Sequence, residues 1–221
     1  MALVLLGSVA CGTSLGSASP RAPVASAPIA PPPIPSDVAP ADELPVAPGE
    51  VTAPAPTRIT ITKGTRVLMF GDSMVTSGLG VYLKERIVAR GGKFFSISKG
   101  SSTTATWTEG RELQDLVTRL HPDVVLVVLA SNELFVPNPQ ARRHAVRAIV
   151  ERVGARPCLW IGPAPWLPEK GIIGVVREAA APCRFYDSAA LTLERQADRI
   201  HPTLVGGKAW ADAVWTDAFE D

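Results

Sequence analysis

The stretch Asp123–Ala130, DVVLVVLA, consists of Val, Leu and Ala after its first residue. A strand that is apolar at every position, rather than at every second one, is typical of a parallel sheet with helices covering both of its faces. Polar residues follow at once, beginning with Ser131 and Asn132. The stretch therefore predicts a central strand of an α/β fold, with a polar loop at the carboxyl end of that strand.

Strand and helix patterns alternate on both sides of this run. The other strands are expected at Arg66–Phe70, Lys93–Ser98, Pro157–Ile161 and Arg184–Asp187. The helices are expected at about Ser77–Ala89, Glu109–Leu120, Asn138–Val153, Gly171–Ala180 and Leu204–Phe219, with Asn138 as an N-cap and Pro139 as a first helical residue. With right-handed crossovers, these elements predict an α/β three-layer sandwich, in which helices cover both faces of a five-stranded parallel sheet. The expected arrangement is flavodoxin-like, with strand order 2-1-3-4-5.

Composition divides the 221 residues into three parts. Residues 57–221 have the patterns of one folded domain. Ser19–Pro56 holds 12 of the 21 prolines and lacks hydrophobic periodicity, which predicts a disordered Pro/Ala-rich linker. Residues 1–18 contain a short apolar run, Ala2–Ala10, that ends directly before Cys11. This region resembles the signal peptide of a bacterial lipoprotein, with Cys11 as the lipidated residue. It implies an exported protein anchored in the cell envelope, in the periplasm or at the cell surface; an unprocessed N-terminal segment is the alternative.

The two other cysteines, Cys158 and Cys183, lie at the start of one expected strand and just before the next. If these strands are parallel neighbours, both cysteines lie at the same end of the sheet, within bridging distance. Export would permit a disulfide. The sequence therefore predicts a Cys158–Cys183 disulfide, with two separate buried thiols as the alternative. The three histidines and three cysteines lack metal-ligand spacing, so no metal is predicted.

The charge balance argues against a nucleic-acid-binding protein. The net charge is +1, and from residue 57 onward 21 Lys and Arg stand against 17 Asp and Glu. That excess is too small for a basic nucleic-acid interface. Four arginines share one expected helix: Arg142, Arg143, Arg147 and Arg152. They are interpreted as a solvated helix face, in which Glu151 pairs with Arg147.

Candidate catalytic residues follow the ends of four expected strands, where parallel sheets place their ligand sites. Ser73 follows the first strand, Gly100 the second and Asn132 the third, and Asp198 and His201 come after the last. A nucleophilic serine needs a histidine to accept its proton and an acid to orient that histidine. Ser73, His201 and Asp198 supply this set. The backbone N–H groups of Ser73 and Gly100 and the side-chain amide of Asn132 are the expected donors of an oxyanion hole.

In these residues and their order, the chain resembles the SGNH (GDSL-like) hydrolase family. The motifs are Gly71-Asp72-Ser73, Gly100, Ala130-Ser131-Asn132-Glu133, and the segment from Asp198 to His201. The resemblance covers essentially all of residues 57–221 and implies an SGNH fold and a Ser-His-Asp esterase. An α/β-hydrolase is disfavoured because its G-x-S-x-G turn needs a second Gly, where this chain has Val75.

The third motif departs from the family pattern, since Ala130 replaces Gly and Glu133 replaces Asp. These changes put the backbone geometry of the loop in question more than the activity, because Asn132 is retained. Glu133 is interpreted as a solvated or capping acid. Taken singly, Ser73 or Asp198 would also be compatible with a helix N-cap. Trp107, Trp160 and Trp166 are candidates for a sugar-binding cleft, with the core as the favoured place for Trp160; Trp210 and Trp215 are assigned to packing.

The resemblance and the expected export imply hydrolysis of small acyl esters, such as acetyl esters, on carbohydrate or cell-envelope polysaccharide. No cofactor is expected. Two alternatives stay open: a polysaccharide O-acyltransferase that uses the same triad, and a catalytically silent carbohydrate-binding module of the same fold. The expected partners are the acylated substrate and, through Cys11, a membrane. The acyl chain, the alcohol and the oligomeric state are not determined by the sequence.

Overall fold

The computed structural model describes residues 58–220, in which five parallel strands form one sheet of order β2-β1-β3-β4-β5. The strands are β1 (Arg66–Gly71), β2 (Lys93–Ser98), β3 (Val124–Val128), β4 (Cys158–Ile161) and β5 (Arg184–Tyr186). The predicted fold class and strand order are confirmed.

Six α-helices connect and flank these strands within the described residues. They are α1 (Leu79–Ala89), α2 (Thr104–Thr108), α3 (Glu112–Leu120), α4 (Arg143–Val153), α5 (Ile172–Ala179) and α6 (Leu204–Ala218). Short 3-10 turns lie at Ser73–Val75, Ser131–Glu133 and Pro139–Arg142. Among residues 58–220, no helix has the length and apolar character needed to cross a membrane.

Alternate residues of β3 belong to two hydrophobic cores on opposite faces of the sheet. Val125 and Val127 pack in a core formed with α2, α3, α4 and α5. Val124, Leu126 and Val128 pack in the other core, formed with α1 and α6. Because both faces are covered, burial requires an apolar side chain at every position, which explains the continuous Val and Leu run.

The segment between β2 and β3 differs from the single helix that was expected there. Helix α2 begins at Thr104, ahead of the expected start, and α3 begins only at Glu112. The Thr103 side chain caps α2 by accepting a hydrogen bond from the Thr106 N–H, and Gly110, with φ of 63°, separates the two helices. The prediction was wrong because this reciprocal Thr cap leaves no mark in the hydrophobic periodicity.

The start of α4 also corrects the sequence interpretation. Asn138 is the N-cap residue and Pro139 the first residue of a 3-10 turn, as predicted, but the Asn138 side chain makes no capping hydrogen bond. This turn leads into α4, which begins only at Arg143. Three of the four arginines make specific contacts: Arg142 with Glu133, Arg143 with Glu178, and Arg152 with the carbonyl groups of Trp107 and Thr108. The solvated-face interpretation is therefore wrong for these three, because they connect α4 and the 3-10 turn before it to neighbouring segments.

Cys158 and Cys183 form a disulfide at the amino end of the sheet. The register pairs Leu159 of β4 with Arg184 of β5, so the residues that precede them lie side by side, with their Cα atoms 4.7 Å apart. The predicted pairing is present. The third cysteine, Cys11, lies outside the described residues, as do the predicted anchor region 1–18 and linker 19–56.

Candidate active site

Ser73 opens a 3-10 turn just beyond the carboxyl end of β1, and Gly71–Val75 is called the serine turn below. Asp72 caps this turn, because its Oδ1 accepts a hydrogen bond of 2.9 Å from the Met74 N–H. A Cβ atom on Gly71 would lie 1.8 Å from the Val128 carbonyl oxygen, so only glycine fits between β1 and β3. The N-cap alternative for Ser73 is wrong, since Asp72 holds that position and leaves the serine hydroxyl to another partner.

That partner is His201. The Ser73 Oγ atom lies 2.8 Å from His201 Nε2, and His201 Nδ1 lies 2.6 Å from Asp198 Oδ2. Both are hydrogen-bond distances. When Nδ1 carries the proton and donates it toward the carboxylate, Nε2 is free to accept a hydrogen bond from the serine hydroxyl. The structure therefore brings the three residues together in the spatial order that proton transfer needs, with His201 between Ser73 and Asp198.

A tight turn, Asp198–His201, holds the acid in place and is called the histidine turn below. Asp198 Oδ1 accepts hydrogen bonds from the backbone N–H groups of Ile200, at 2.9 Å, and His201, at 3.0 Å. Arg199 has a φ of 60°, in the left-handed region, which closes the turn. The hydrogen bond with the His201 side chain, followed by the two backbone bonds, lowers the pKa of Asp198 to about 2. Asp198 is therefore a carboxylate at neutral pH.

Arg195 fastens the histidine turn to the loop after β4. Its Nη2 donates to the carbonyl oxygens of Ala164 and Pro165, each at 3.0 Å, and its Nη1 donates to the Ile200 carbonyl. The Gln196 N–H donates to the His201 carbonyl at 2.8 Å. Arg195 is not among the site residues predicted from the sequence. A weak signal for it was an arginine just ahead of the D-x-x-H motif.

Two adjacent glycines let α6 lie against the rest of the site. Thr203 caps α6 by accepting a hydrogen bond of 3.1 Å from the Gly206 N–H. A Cβ atom on Gly206 would lie 2.1 Å from the Glu194 carbonyl oxygen, and one on Gly207 would lie 2.5 Å from the Gly78 Cα. Helix α6 therefore contacts both the segment before the histidine turn and the start of α1, which follows the serine turn. This contact is not predicted from the sequence, although a glycine pair in the first turn of a helix is a usable signal for close helix packing.

The turns that carry the expected oxyanion donors lie at the same edge of the sheet. The Asn132 Nδ2 atom donates to the Ser102 carbonyl at 2.9 Å, which connects the turn after β3 to the turn after β2. The Lys99 N–H donates to the Gly71 carbonyl at 2.9 Å, which connects the turn after β2 to the serine turn. A Cβ atom on Gly100 would meet nothing within 4 Å, so packing does not require glycine there. The three turns are thus joined around Ser73.

The altered third motif, from Ala130 to Glu133, has an unusual backbone conformation at its first residue and a buried acid at its last. Ala130 has a φ of 88°, in the left-handed region that favours glycine. Glu133 is fully buried and accepts hydrogen bonds from the Thr104 N–H at 2.9 Å and the Thr104 hydroxyl at 2.8 Å; Arg142 Nε lies 2.9 Å from its Oε1. The interpretation of Glu133 as a solvated acid is wrong, because its 3-10 turn directs the side chain inward. The alternative interpretation, a capping acid, is correct, because Glu133 accepts a hydrogen bond from the N–H of Thr104, the first residue of α2.

Asp72 is a second buried carboxyl group at this edge. Burial raises the pKa of Asp72 to about 7, and this effect outweighs the hydrogen bonds from Met74 and Ser131, which lower it. The negative charge of Glu133 raises the pKa further. The Gly71-Asp72-Ser73 motif does not indicate that the pKa of Asp72 is raised, because the burial of Asp72 depends on the packing of distant segments.

The tryptophans separate into core and surface positions. Trp107 is buried against Phe70, with ring centroids 4.7 Å apart, and its Nε1 donates to Ser102 Oγ at 3.0 Å. Its candidacy for a sugar-binding cleft is therefore wrong. Trp166 is partly buried and makes an edge contact with Phe135, whose side chain is half exposed. The core assignments are confirmed for Trp160, Trp210 and Trp215.

The two other histidines lie on different elements. His121 is the C-cap of α3, and His144 is exposed on α4. Within the part of the chain that the structure describes, no group of three or more His, Cys, Asp or Glu side chains is placed to hold a metal ion.

Comparison with known proteins identifies the fold. No protein-family model matches the sequence, and no curated protein matches it at a significant level. Among solved structures, TesA has a TM-score of 0.58 at 20% identity, with 68% of this chain and 96% of TesA covered. A catalytic variant of Axe2, an acetylxylan esterase from Geobacillus stearothermophilus, has a TM-score of 0.58 at 15% identity, with 74% and 98% covered. A GDSL-like lipase from Parabacteroides merdae has a TM-score of 0.53 at 14% identity, with 72% and 98% covered. At such identities the likeness shows a shared fold, and that fold is the one found in SGNH hydrolases.

Proposed function

We propose that this chain is a serine esterase of the SGNH type, in which Ser73 attacks the ester, His201 transfers the proton and Asp198 orients His201. The observation that carries the proposal is the hydrogen-bonded path from Ser73 Oγ through the His201 imidazole to Asp198, at 2.8 and 2.6 Å. The shared fold supports it only in part, because one fold hosts many functions.

In the acylation step, Ser73 Oγ attacks the carbonyl carbon of the ester while its proton passes to His201 Nε2. The carbonyl oxygen becomes the negative oxygen of a tetrahedral intermediate. The N–H groups of Ser73 and Gly100 and the Asn132 amide stabilise that charge. Collapse of the intermediate breaks the bond to the alcohol oxygen, which takes the proton from His201. The acyl group is left on Ser73.

In the deacylation step, water attacks the acyl carbon and gives its proton to His201 Nε2. The second intermediate collapses, the bond to Ser73 Oγ breaks, and His201 returns the proton to the serine. Asp198 remains a carboxylate throughout, because its pKa is about 2. Its negative charge stabilises the imidazolium that forms in each step.

The proposed substrates are small acyl esters, such as acetyl esters of carbohydrate or cell-envelope polysaccharide. The acetylxylan esterase Axe2 shares the fold, which supports the acetyl class. The same acyl-enzyme would also allow transfer to a sugar hydroxyl, and product analysis with a polysaccharide acceptor present separates hydrolysis from transfer. The hydrogen bond between Ser73 and His201 argues against the catalytically silent alternative, since a binding module has no need for it.

The proposed location is the cell envelope, with lipid on Cys11. The sequence pattern supports this proposal: the apolar run Ala2–Ala10, Cys11 and a Pro/Ala-rich segment that would span the distance from the membrane to the folded domain. Mass spectrometry of the membrane fraction should find a lipid-modified Cys11. A soluble protein that begins at Met1 would contradict the anchor.

The test of the esterase proposal is covalent labelling of the full chain with a fluorophosphonate probe, together with turnover of p-nitrophenyl esters of increasing chain length. Ser73→Ala should abolish both labelling and turnover. Ser96→Ala is the matched control, since Ser96 is exposed on β2, and it should leave both unchanged. Labelling that survives in the Ser73 variant would place the nucleophile elsewhere.

A further inference from the structure

Glu133 is a fully buried acid directly after Asn132 in the 3-10 turn that follows β3. A buried carboxylate is tolerated only when hydrogen bonds and a positive charge offset its loss of hydration. Glu133 has both: two donors from Thr104, at 2.9 and 2.8 Å, and the Arg142 guanidinium, at 2.9 Å. These two hydrogen bonds and this ion pair hold the Glu133 side chain in place.

The contacts of Glu133 connect two of the turns that carry the proposed oxyanion donors. Asn132 donates to the Ser102 carbonyl at 2.9 Å, and Glu133 accepts from Thr104 in the same segment. That segment begins with the turn of Gly100. Two consecutive residues after β3 therefore hold three hydrogen bonds to the segment after β2. Without Glu133, only the Asn132 bond would remain of these three.

The charge of Glu133 has a consequence for a negatively charged intermediate. A carboxylate one residue from Asn132 repels the oxyanion that the Asn132 amide is expected to stabilise, and the repulsion is strong because the carboxylate is buried. Arg142 offsets that charge at 2.9 Å, from a position that is only one third exposed. The pair can therefore fix the turn without a net negative charge beside the reacting atoms.

We propose that Glu133 and Arg142 are positioning residues of the acyl-transfer site. Glu133 holds Asn132 and the Gly100 turn in the geometry that receives the oxyanion, and Arg142 neutralises Glu133. This inference rests on the proposed esterase function. Glu133 is fully buried and Arg142 acts through it, so we expect their effect on the transition state and not on substrate affinity.

The expected results follow from displacement of the oxyanion donors, since a misplacement of about 1 Å can lower a rate about 10²-fold. Glu133→Ala should lower kcat about 10²-fold and change KM less than about threefold. Glu133→Gln keeps an oxygen that accepts a hydrogen bond from the Thr104 N–H. This variant should therefore keep at least about a tenth of the wild-type kcat. Arg142→Met should lower kcat about 10-fold, because the buried carboxylate is left without its partner.

The experiment measures kcat per active site, with sites counted by fluorophosphonate labelling, beside the thermal unfolding of each variant. Glu178→Gln is the matched control: it removes the ion pair of the neighbouring Arg143, at the same end of α4, without touching the turn after β3. It should leave kcat and KM unchanged. If Glu133→Ala does not fold, Glu133→Gln and Arg142→Met decide the question.

Ser73→Ala separates failure of this inference from failure of the proposed function. If Ser73→Ala is inactive while the Glu133 and Arg142 variants keep wild-type kcat per labelled site, the two residues are structural only and the inference is overturned. If Ser73→Ala keeps its activity, the esterase mechanism itself is overturned. A loss confined to kcat, with partial recovery in Glu133→Gln, supports positioning.

Discussion

Gly207 and Gly78 are in such close contact that a Cβ atom on Gly207 would lie 2.5 Å from the Gly78 Cα. Gly78 directly precedes α1, which follows the serine turn, and Gly207 belongs to the first turn of α6, which follows the histidine turn. The contact between these two helices therefore helps to set the separation between Ser73 and His201. Helix packing at this point is therefore part of the geometry of the proposed catalytic site.

Gly207→Ala should weaken both the fold and the proposed activity. The added methyl group forces α6 away from α1, which should lower the free energy of unfolding by about 1–3 kcal/mol and lower kcat about 10-fold or more. Gly174→Ala in α5 is the control, since a Cβ atom there meets nothing within 4 Å. It should raise stability by up to about 1 kcal/mol and leave kcat unchanged. Urea unfolding and ester turnover provide the two measurements.

His201→Ala and Asp198→Ala should differ in severity. In the proposed mechanism His201 transfers the proton in both half-reactions, so its loss should be nearly as damaging as that of Ser73, whereas Asp198→Ala should leave more residual activity. The pKa of Asp198 is about 2, so Asp198 stays ionised across the range from about pH 4 to 9. Any fall of kcat/KM toward acid pH within this range should therefore not come from protonation of Asp198. Wild-type activity in His201→Ala would overturn the mechanism.

Asn132→Ala should fold normally and lose about 10²–10³ in kcat, the usual effect of deleting one oxyanion donor. Asn138→Ala is a fitting control, because Asn138 is exposed and its side chain makes no capping hydrogen bond. The comparison uses kcat per fluorophosphonate-labelled site. An unchanged kcat would mean that the Asn132 amide serves only to bind the Ser102 carbonyl.

Asp72 should make stability depend on pH with a sign opposite to that of a paired carboxylate. Burial raises the pKa of Asp72 to about 7, from an ordinary value of about 4. Between these values the folded chain keeps a proton that the unfolded chain has lost, so the free energy of unfolding falls as pH rises from about 4 to 7. The expected loss is on the order of a few kcal/mol. Asp72→Asn should flatten this slope in urea titrations, and Asp115→Asn, at an exposed position, should not.

The Cys158–Cys183 disulfide should leave no free thiol in the folded domain under denaturing, non-reducing conditions. The bond closes a loop with a sequence separation of 25 residues, so replacing both cysteines with Ala should cost about 3 kcal/mol of stability. A reducing agent should destabilise the wild type by a similar amount and the double variant not at all. Two titratable thiols per wild-type domain would contradict the pairing.

The strands and most helices could be predicted because their signals are local. Lys93–Ser98 was located with its observed bounds, and the Val and Leu run of β3 indicated a doubly covered strand before any contact was known. The misses also have local causes. Thr103 and Thr106 form a reciprocal cap of polar side chains, which hydrophobic periodicity does not reveal, so the sequence predicts a single helix where the structure has α2 and α3. The sequence also predicts Asn138 as a capping residue, but its side chain makes no capping hydrogen bond.

The sequence by itself determined the fold class, through the alternation of strand and helix patterns, and it supplied the candidate nucleophile, base, acid and oxyanion donors, because each of these belongs to a short motif. Only the tertiary structure decided that Ser73 and His201, far apart along the chain, lie 2.8 Å apart. It also decided that Glu133 is buried against Thr104 and Arg142, and that Gly78 meets Gly207. The physical reason is that burial and long-range contact arise when helices pack on the sheet. No local pattern of charge or hydrophobicity encodes which distant atoms that packing brings together.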